Sequence, residues 1–198
     1  GRRNDTNSQS GDKTPPDNSN MQTPPDGNAP SGNPPTMPGQ DAADSTTTDD
    51  TTDKQPVLLI TGGKITVNAD GDGLDSNGDL RVEGGDITIN GPSNGGNGAI
   101  DIGTENGGAG VIAGGTLIAL GASSMAENFG STSTQCAFLV TMNSFGTGET
   151  ITITDSQGTV LYTGVTVKSA NSVVFSSADL VVGETYTVTI GSTSATVT

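Results

Sequence analysis

The chain has 198 residues, and its 22 acidic and 7 basic side chains give a formal net charge of −15 at pH 7. Nucleic acids and anionic membrane surfaces are bound through basic patches, so this balance argues against both as partners. The sequence has no run of about 18 apolar residues, so it predicts no insertion into a membrane.

The first 56 residues differ in composition from the rest of the chain. They hold nine of the ten prolines and hardly any aliphatic side chains, and they are rich in Asp, Asn, Ser and Thr. Such a segment cannot bury enough apolar surface to offset the entropy lost on ordering. The sequence therefore predicts a disordered linker over 1–56.

Three Gly-Gly pairs, at 62–63, 84–85 and 114–115, each join two short segments of alternating apolar and polar residues. Alternation with a period of two predicts β-strands, and phrases that recur after 22 and then 30 residues predict stacked coils. Aligned on the glycines, the inward columns are Ile60/Val82/Ile112, Ile65/Ile87/Leu117 and Val67/Ile89/Ala119.

A parallel β-helix over 57–134 is the fold that this alignment predicts. The alternative is an antiparallel sandwich in which the Gly-Gly turns recur by coincidence. Residues 57–128 contain no aromatic side chain, which favours the narrow aliphatic core of a helix over a sandwich.

Residues 135–198 predict a β-rich C-terminal region. Two alternating segments around Asp155–Gly158 predict a hairpin, and further strands are predicted at 172–176 and 185–190. Cys136 is the single cysteine and lies among apolar residues, so we expect a buried thiol without an internal disulfide.

The stretch 70–79 is dense in acidic side chains. When Leu74 is aligned with Ile100, Asp75 and Asp101 point outward on neighbouring strands, which lie about 4.8 Å apart. Two carboxylates at that separation repel each other unless they are protonated or bridged by a cation. Residues 70–105 contain eight acidic side chains and one basic side chain, Arg81, so no neutralisation by nearby basic residues is expected.

These oxygen ligands predict a calcium site, because Ca²⁺ accepts six to eight oxygens in flexible geometry, whereas zinc prefers His and Cys. An EF-hand loop is excluded, since Leu80 occupies its obligatory glycine position. The alternative is ordinary Asp/Asn/Gly turn chemistry with solvated charges. The candidate ligands are Asp70, Asp72, Asp75, Asn77 and Asp101, with Asp79 and Asn97 as further candidates.

Catalysis finds little support in the sequence. The chain has no His, so a Ser-His-Asp arrangement is excluded. A calcium-assisted lyase would need a basic residue near the metal, and only Lys64 and Arg81 qualify by position. We expect Lys64 to be solvated and Arg81 to neutralise Glu83 or Asp86, so the sequence predicts a protein that is not an enzyme.

An ordered set of phrases resembles a family of bacterial cell-surface proteins described as carbohydrate-binding domain-containing. The phrases lie at 71–78, 84–92, 96–101, 114–119, 123–126, 174–180 and 183–186. The resemblance implies a right-handed, calcium-binding parallel β-helix similar to that of polysaccharide lyases, in a secreted or cell-surface protein. It also implies binding of acidic, pectin-like polysaccharide without cleavage. Because family members carry further coils upstream, it implies that these are the C-terminal coils of a longer helix.

The expected function is therefore a non-catalytic, calcium-dependent module that binds acidic polysaccharide such as polygalacturonate. Residues 57–198 carry a charge of −10, so calcium would have to bridge protein and uronate carboxylates. Neutral sugars usually stack on exposed aromatic rings, which 57–128 lack. The alternatives are a structural stalk that calcium makes rigid and, less favoured, a polysaccharide lyase.

Overall fold

The computed structural model describes residues 56–198, which form an all-β structure. Nearly all of the predicted linker, residues 1–55, lies outside the described residues. Within 56–198 the helical segments are two short 3-10 turns, Thr104–Asn106 and Ser123–Met125. The strands are β1 (Val57–Ile60), β2 (Lys64–Asn68), β3 (Leu74–Ser76), β4 (Asp79–Val82), β5 (Asp86–Asn90), β6 (Ile100–Ile102), β7 (Gly110–Ile112), β8 (Thr116–Gly121), β9 (Ala137–Phe145), β10 (Thr150–Thr154), β11 (Val160–Val165), β12 (Ala170–Ser176), β13 (Tyr186–Ile190) and β14 (Thr193–Val197).

The first eight strands pair in parallel, and every third strand returns to the same sheet. β4 lies between β1 and β7, β5 lies between β2 and β8, and β3 pairs with β6. We call β1–β3 the first triplet and β4–β6 the second triplet. Parallel pairing throughout this part excludes the antiparallel sandwich as an interpretation of it.

The register of these strands confirms the predicted inward columns. Ile65 lies opposite Ile87, which lies opposite Leu117, and Val67, Ile89 and Ala119 follow in the same way. Ile60, Val82 and Ile112 form the third column. Apart from the half-buried Ile65 and Val67 of the first triplet, the members of all three columns are buried. A parallel register without offset places like residues on like residues, so matched aliphatic side chains fill a narrow core.

The sheet that contains β8 is extended by two antiparallel strands, β12 and then β9. Here both faces are covered, because β12 directs Val174 into the core of the parallel part and Phe175 into a second core. β8 also contributes to both cores, because Leu117 packs in the core of the parallel part and Ile118 packs in the second core. This sheet is therefore a common wall between two hydrophobic cores.

The second core is closed by an antiparallel sheet in the order β11-β10-β13-β14. The predicted hairpin is confirmed as β10 and β11, and the strands predicted at 172–176 and 185–190 correspond to β12 and β13. β9 and β14 were not predicted from the sequence. β9 begins with the continuous apolar run Ala137–Val140, which lacks alternation because side chains on both of its faces pack against a core.

Cys136 is half-buried rather than buried, which corrects the sequence-based expectation. It lies just before β9 and packs against the second core, in which the rings of Phe138 and Tyr186 stack with centroids 6.1 Å apart.

No helix within 56–198 combines the length and the apolarity needed to cross a membrane.

Candidate functional site

The candidate site lies on the outer face of the two-stranded sheet formed by β3 and β6. In this pair Leu74 lies opposite Ile100 and Asp75 lies opposite Asp101, as the alignment predicts. Leu74 and Ile100 are buried, whereas Asp75 is exposed and Asp101 is half-buried. Alternation along each strand therefore turns the two carboxylates outward, one above the other on neighbouring strands.

The loop before β3 lies close to the segment before β6. The backbone N–H of Gly73 donates to the Gly98 carbonyl over 3.0 Å, and the Asp72 carboxylate accepts from the Gly98 N–H over 2.7 Å. A Cβ at position 73 would clash with the Ala99 carbonyl oxygen and the Ile89 side chain. Glycine at 73 thus allows the two backbones to approach, and this approach brings Asp72 to the edge of the site.

Two more acidic side chains, Glu105 and Glu127, interact electrostatically with Asp101. Burial raises its pKa above the usual value, and the charges of Asp72, Asp75 and Glu105 raise it further. Burial also raises the pKa of Glu127, and the charges of Asp101 and Glu105 raise it further. A hydrogen bond from the Ile102 backbone N–H opposes this rise but does not cancel it. We define these five residues, Asp72, Asp75, Asp101, Glu105 and Glu127, as the acidic group.

Glu105 and Glu127 were not among the residues predicted from the sequence. Glu105 belongs to the 3-10 turn after β6, and its position four residues beyond Asp101 was an available signal. Glu127 reaches the site from 25 residues away, where its carboxylate accepts the Ile102 N–H over 2.8 Å. No local pattern identifies Glu127, because only the fold brings it to β6.

Three ion pairs are found within 56–198, and none includes a member of the acidic group. They join Lys64 to Asp86 at 2.6 Å, Arg81 to Asp79 at 2.7 Å, and Lys168 to Asp70. The expectation that Arg81 would neutralise Glu83 or Asp86 is therefore wrong, because Asp79 lies two residues away on the same side of β4. Lys64 is exposed, as expected, and also pairs with Asp86.

Asp70 is also neutralised, although no basic residue lies near it in the sequence. Lys168 donates to its carboxylate and, over 2.6 Å, to the Ala69 carbonyl oxygen. This hydrogen bond and the lysine charge lower the pKa of Asp70. The sequence predicted that the acidic side chains of 70–105 would lack a basic partner, because only Arg81 is near. At Asp70 this prediction is wrong, since Lys168 of the C-terminal region pairs with it.

The structure brings together Asp72, Asp75 and Asp101 of the predicted ligands. Asp70 is instead held by Lys168, and Asn77 is exposed just beyond β3, with its carbonyl oxygen accepting from the Asn106 side chain. The two further candidates also have partners. The Asp79 carboxylate binds Arg81 and the Ala109 N–H, and the Asn97 side chain donates to Asn94.

The donor chemistry of the site fits Ca²⁺. Asp75 and Asp101 present carboxylate oxygens on neighbouring strands, and oxygen ligands suit Ca²⁺ better than zinc. Within 56–198, no three His, Cys, Asp or Glu side chains lie close enough together to hold a metal ion by themselves. The arrangement thus offers two carboxylates in register, to which amide oxygens, carbonyl oxygens or water would have to be added.

The chain matches no protein-family model, no curated protein and no solved structure. Inference about its function therefore rests on the geometry described above and on the sequence resemblance.

Proposed function

We propose that residues 57–134 form the coils of a right-handed parallel β-helix that binds Ca²⁺ on its outer face. Through that calcium the domain recognises acidic, pectin-like polysaccharide such as polygalacturonate, without cleaving it. The protein acts outside the cell or at the bacterial cell surface. The parallel pairing of every third strand supports the helix, because stacked coils produce this strand order.

The pairing of Asp75 with Asp101 is the observation that carries the calcium proposal. The two carboxylates lie opposite each other on parallel strands, and the charges of Asp72 and Glu105 also act on Asp101. None of the ion pairs within 56–198 compensates this charge. A divalent cation between the strands would replace mutual repulsion with attraction.

Asp75 and Asp101 would hold the cation, with Asp72 and Asn77 as neighbouring oxygen donors. Bound calcium would supply positive charge for a uronate carboxylate on a domain that otherwise repels anions. The remaining acidic group gives the site a strongly negative surrounding, which attracts cations from solution.

A calcium titration by calorimetry tests the metal site. Wild-type protein should bind Ca²⁺, and Asp75→Asn and Asp101→Asn should each weaken binding by at least about tenfold, because each removes one charged ligand. Glu83→Gln is the matched control, since it removes one exposed acidic charge outside the acidic group. Equal affinities for all four proteins would refute a calcium site shared by the two strands.

A polysaccharide-binding experiment tests the ligand. Polygalacturonate should retain the protein in calcium and release it in chelator, and methyl-esterified pectin should retain it less because esterification removes the carboxylates. Equal retention with and without calcium would contradict the proposal. A calcium-dependent rise in melting temperature with no retention on polysaccharide would favour the structural stalk instead, and unsaturated uronate product would indicate a lyase.

A further inference from the structure

Two loops lead into the strands that carry the candidate calcium site. The first site loop, 69–73, precedes β3, and the second site loop, 91–99, precedes β6. The Gly98 N–H of the second loop donates to the Asp72 carboxylate of the first over 2.7 Å. Because β3 and β6 are each only three residues long, the position of the two loops affects how the carboxylates of these strands face each other.

Both site loops are held by one segment of the antiparallel part, 166–169, which joins β11 to β12. The Lys168 ammonium donates to the Ala69 carbonyl of the first site loop over 2.6 Å. The carbonyl oxygen of the next residue, Ser169, accepts a hydrogen bond of 2.7 Å from the Ser93 hydroxyl of the second site loop. Two adjacent residues of the antiparallel part thus hold the loops before β3 and β6.

The segment that carries Lys168 is itself fixed on both sides. Thr166 is 2 % exposed, its N–H donates to the Glu149 carbonyl over 2.9 Å, and its hydroxyl donates to the Gly146 carbonyl over 2.7 Å. Ala170, on the other side of Lys168, is buried in the second core. The site loops are therefore held from a packed part of the molecule.

The stem of Lys168 passes through a space that glycine leaves open. A Cβ at Gly91 would clash with the Lys168 Cδ and with the Ala69 carbonyl oxygen. The lysine side chain is 22 % exposed, whereas the Asp70 side chain with which it pairs is fully exposed. An ion pair with so exposed a partner contributes little, so the packed stem and the hydrogen bond to the Ala69 carbonyl provide most of the hold on the loop.

We propose that Lys168 is a positioning residue for the calcium site, and that it holds the first site loop while Ser169 holds the second. This inference rests on the calcium site proposed above. Because the loops are already in place, Ca²⁺ binds without the entropy cost of ordering them. The antiparallel part thereby raises the affinity of a site to which it contributes no ligand.

The charge of Lys168 would act in the opposite direction. A lysine near the site repels Ca²⁺, so removal of the charge by itself would tighten calcium binding. The charge is already paired with Asp70, and solvent and salt screen it, so its effect on the cation is small. Loss of the hold on the first site loop should dominate, and the sign of the change in affinity therefore distinguishes the two roles.

A calorimetric calcium titration of Lys168→Met measures that sign. The substitution keeps an unbranched stem and removes the charge and the donors. Calcium should bind about tenfold more weakly than to wild type, because ordering one residue of a released loop costs about that factor. Lys168→Arg keeps donors and charge, and should bind calcium more tightly than Lys168→Met.

Lys64→Met is the matched control for the loss of a lysine. Lys64 is exposed and pairs with Asp86, which is not a member of the acidic group. Its removal should leave the calcium affinity within about twofold of wild type, because a distant exposed charge is screened. Tighter or unchanged calcium binding by a folded Lys168→Met protein overturns the positioning role.

Hydrogen exchange in chelator measures the hold on the loop without any metal. The Ala69 N–H donates to the Asn90 carbonyl and the Gly73 N–H donates to the Gly98 carbonyl, so both amides are protected while the first site loop stays in place. Both should exchange faster in Lys168→Met than in wild type, with no change at the centre of β13. Unchanged exchange at both amides overturns the proposal, whereas wild-type protein that binds no calcium refutes the proposed function itself.

Ser93→Ala tests the hold on the second site loop. It removes the hydrogen bond to the Ser169 carbonyl and should weaken calcium binding by about threefold. Ser156→Ala, at an exposed serine of the turn between β10 and β11, should bind calcium like wild type. Circular dichroism melting shows whether each variant is folded. If Lys168→Met does not fold, Ser93→Ala decides the test, and an unchanged affinity then overturns the proposal.

Discussion

The parallel part of the molecule, β1 to β8, and the antiparallel part, β9 to β14, fill their interiors in different ways. The core of the parallel part consists of Ile, Leu, Val and Ala, with Phe129 as its one aromatic member among the described residues. The second core contains Phe138, Phe145, Phe175 and Tyr186. Parallel strands in register stack like on like over a short distance, whereas two facing sheets about 10 Å apart need larger side chains between them.

The same stacking has an opposite effect on the surface. In the parallel part it places Ile87 on Leu117, which stabilises the core, and also Asp75 beside Asp101, which brings like charges together. Antiparallel pairs join residues of different segments, such as Ile153 and Val188, and create no comparable acidic column. A parallel stack thus concentrates one chemical type on its outer face, which is an advantage for binding a cation and a cost without one.

Phe175→Ala tests whether the two cores depend on each other. Phe175 is fully buried, and its ring lies 5.7 Å from those of Phe138 and Tyr162, so its loss should lower the free energy of unfolding by about 3–5 kcal/mol. Because the neighbouring Val174 belongs to the other core, unfolding in denaturant should remain a single transition. Two separate transitions would show that the common wall does not couple the two parts.

Gly73→Ala tests the close approach of backbones in the parallel part. A methyl group at this position meets the Ala99 carbonyl and the Ile89 side chain, so we expect destabilisation by about 1–3 kcal/mol. Gly71→Ala is the matched control, since a Cβ there has nothing within 4 Å. Denaturant unfolding of both variants measures the difference, and equal stability would mean that the loop before β3 can move away from the loop before β6.

The pH dependence of stability should distinguish Asp101, which lies beside another carboxylate, from Asp79, which pairs with Arg81. Because the pKa of Asp101 is raised, its ionised form opposes folding, and this cost is relieved as pH falls through the folded pKa. Asp101→Asn in chelator should therefore stabilise the protein at pH 7, by no more than about 0.5 kcal/mol after solvent screening. The advantage over wild type should vanish near pH 3, below the usual pKa of Asp.

Asp79→Asn should change the free energy of unfolding in the opposite direction to Asp101→Asn. The hydrogen bond from Arg81 lowers the pKa of Asp79, so the stability that this carboxylate contributes is present above its unfolded pKa and is lost as pH falls through the folded one. Asp79→Asn should be less stable than wild type at pH 7, with the difference shrinking in acid. Denaturant unfolding of both variants at pH 7 and near pH 3 measures these changes. If both substitutions changed the free energy of unfolding in the same direction at pH 7, the proposed difference between Asp101 and Asp79 would be wrong.

Much of the parallel part was predictable because its pattern is local. The Gly-Gly pairs and the alternating segments beside them set the register of Ile65 on Ile87 and of Asp75 on Asp101. β9 was missed because both of its faces are covered and its apolar run shows no period of two. β14 consists of small polar residues and Val, and gives only a weak signal.

Part of the candidate site was beyond sequence reasoning. Glu127 joins the acidic group and Lys168 neutralises Asp70 only because the chain folds back, over sequence separations of 25 and 98 residues. The expected partner of Arg81 was wrong for a different reason, since Asp79, Glu83 and Asp86 are all near in sequence and only side-chain geometry selects Asp79.

The sequence by itself determined the all-β class, the inward columns and the outward acids of the parallel part. Alternation and glycine position specify these directly, because each strand faces its own counterpart in the next triplet. The tertiary structure decided which acids remain without a basic partner and how the wall shared by β8, β12 and β9 joins two cores. These features depend on contacts between distant segments, which no local period encodes.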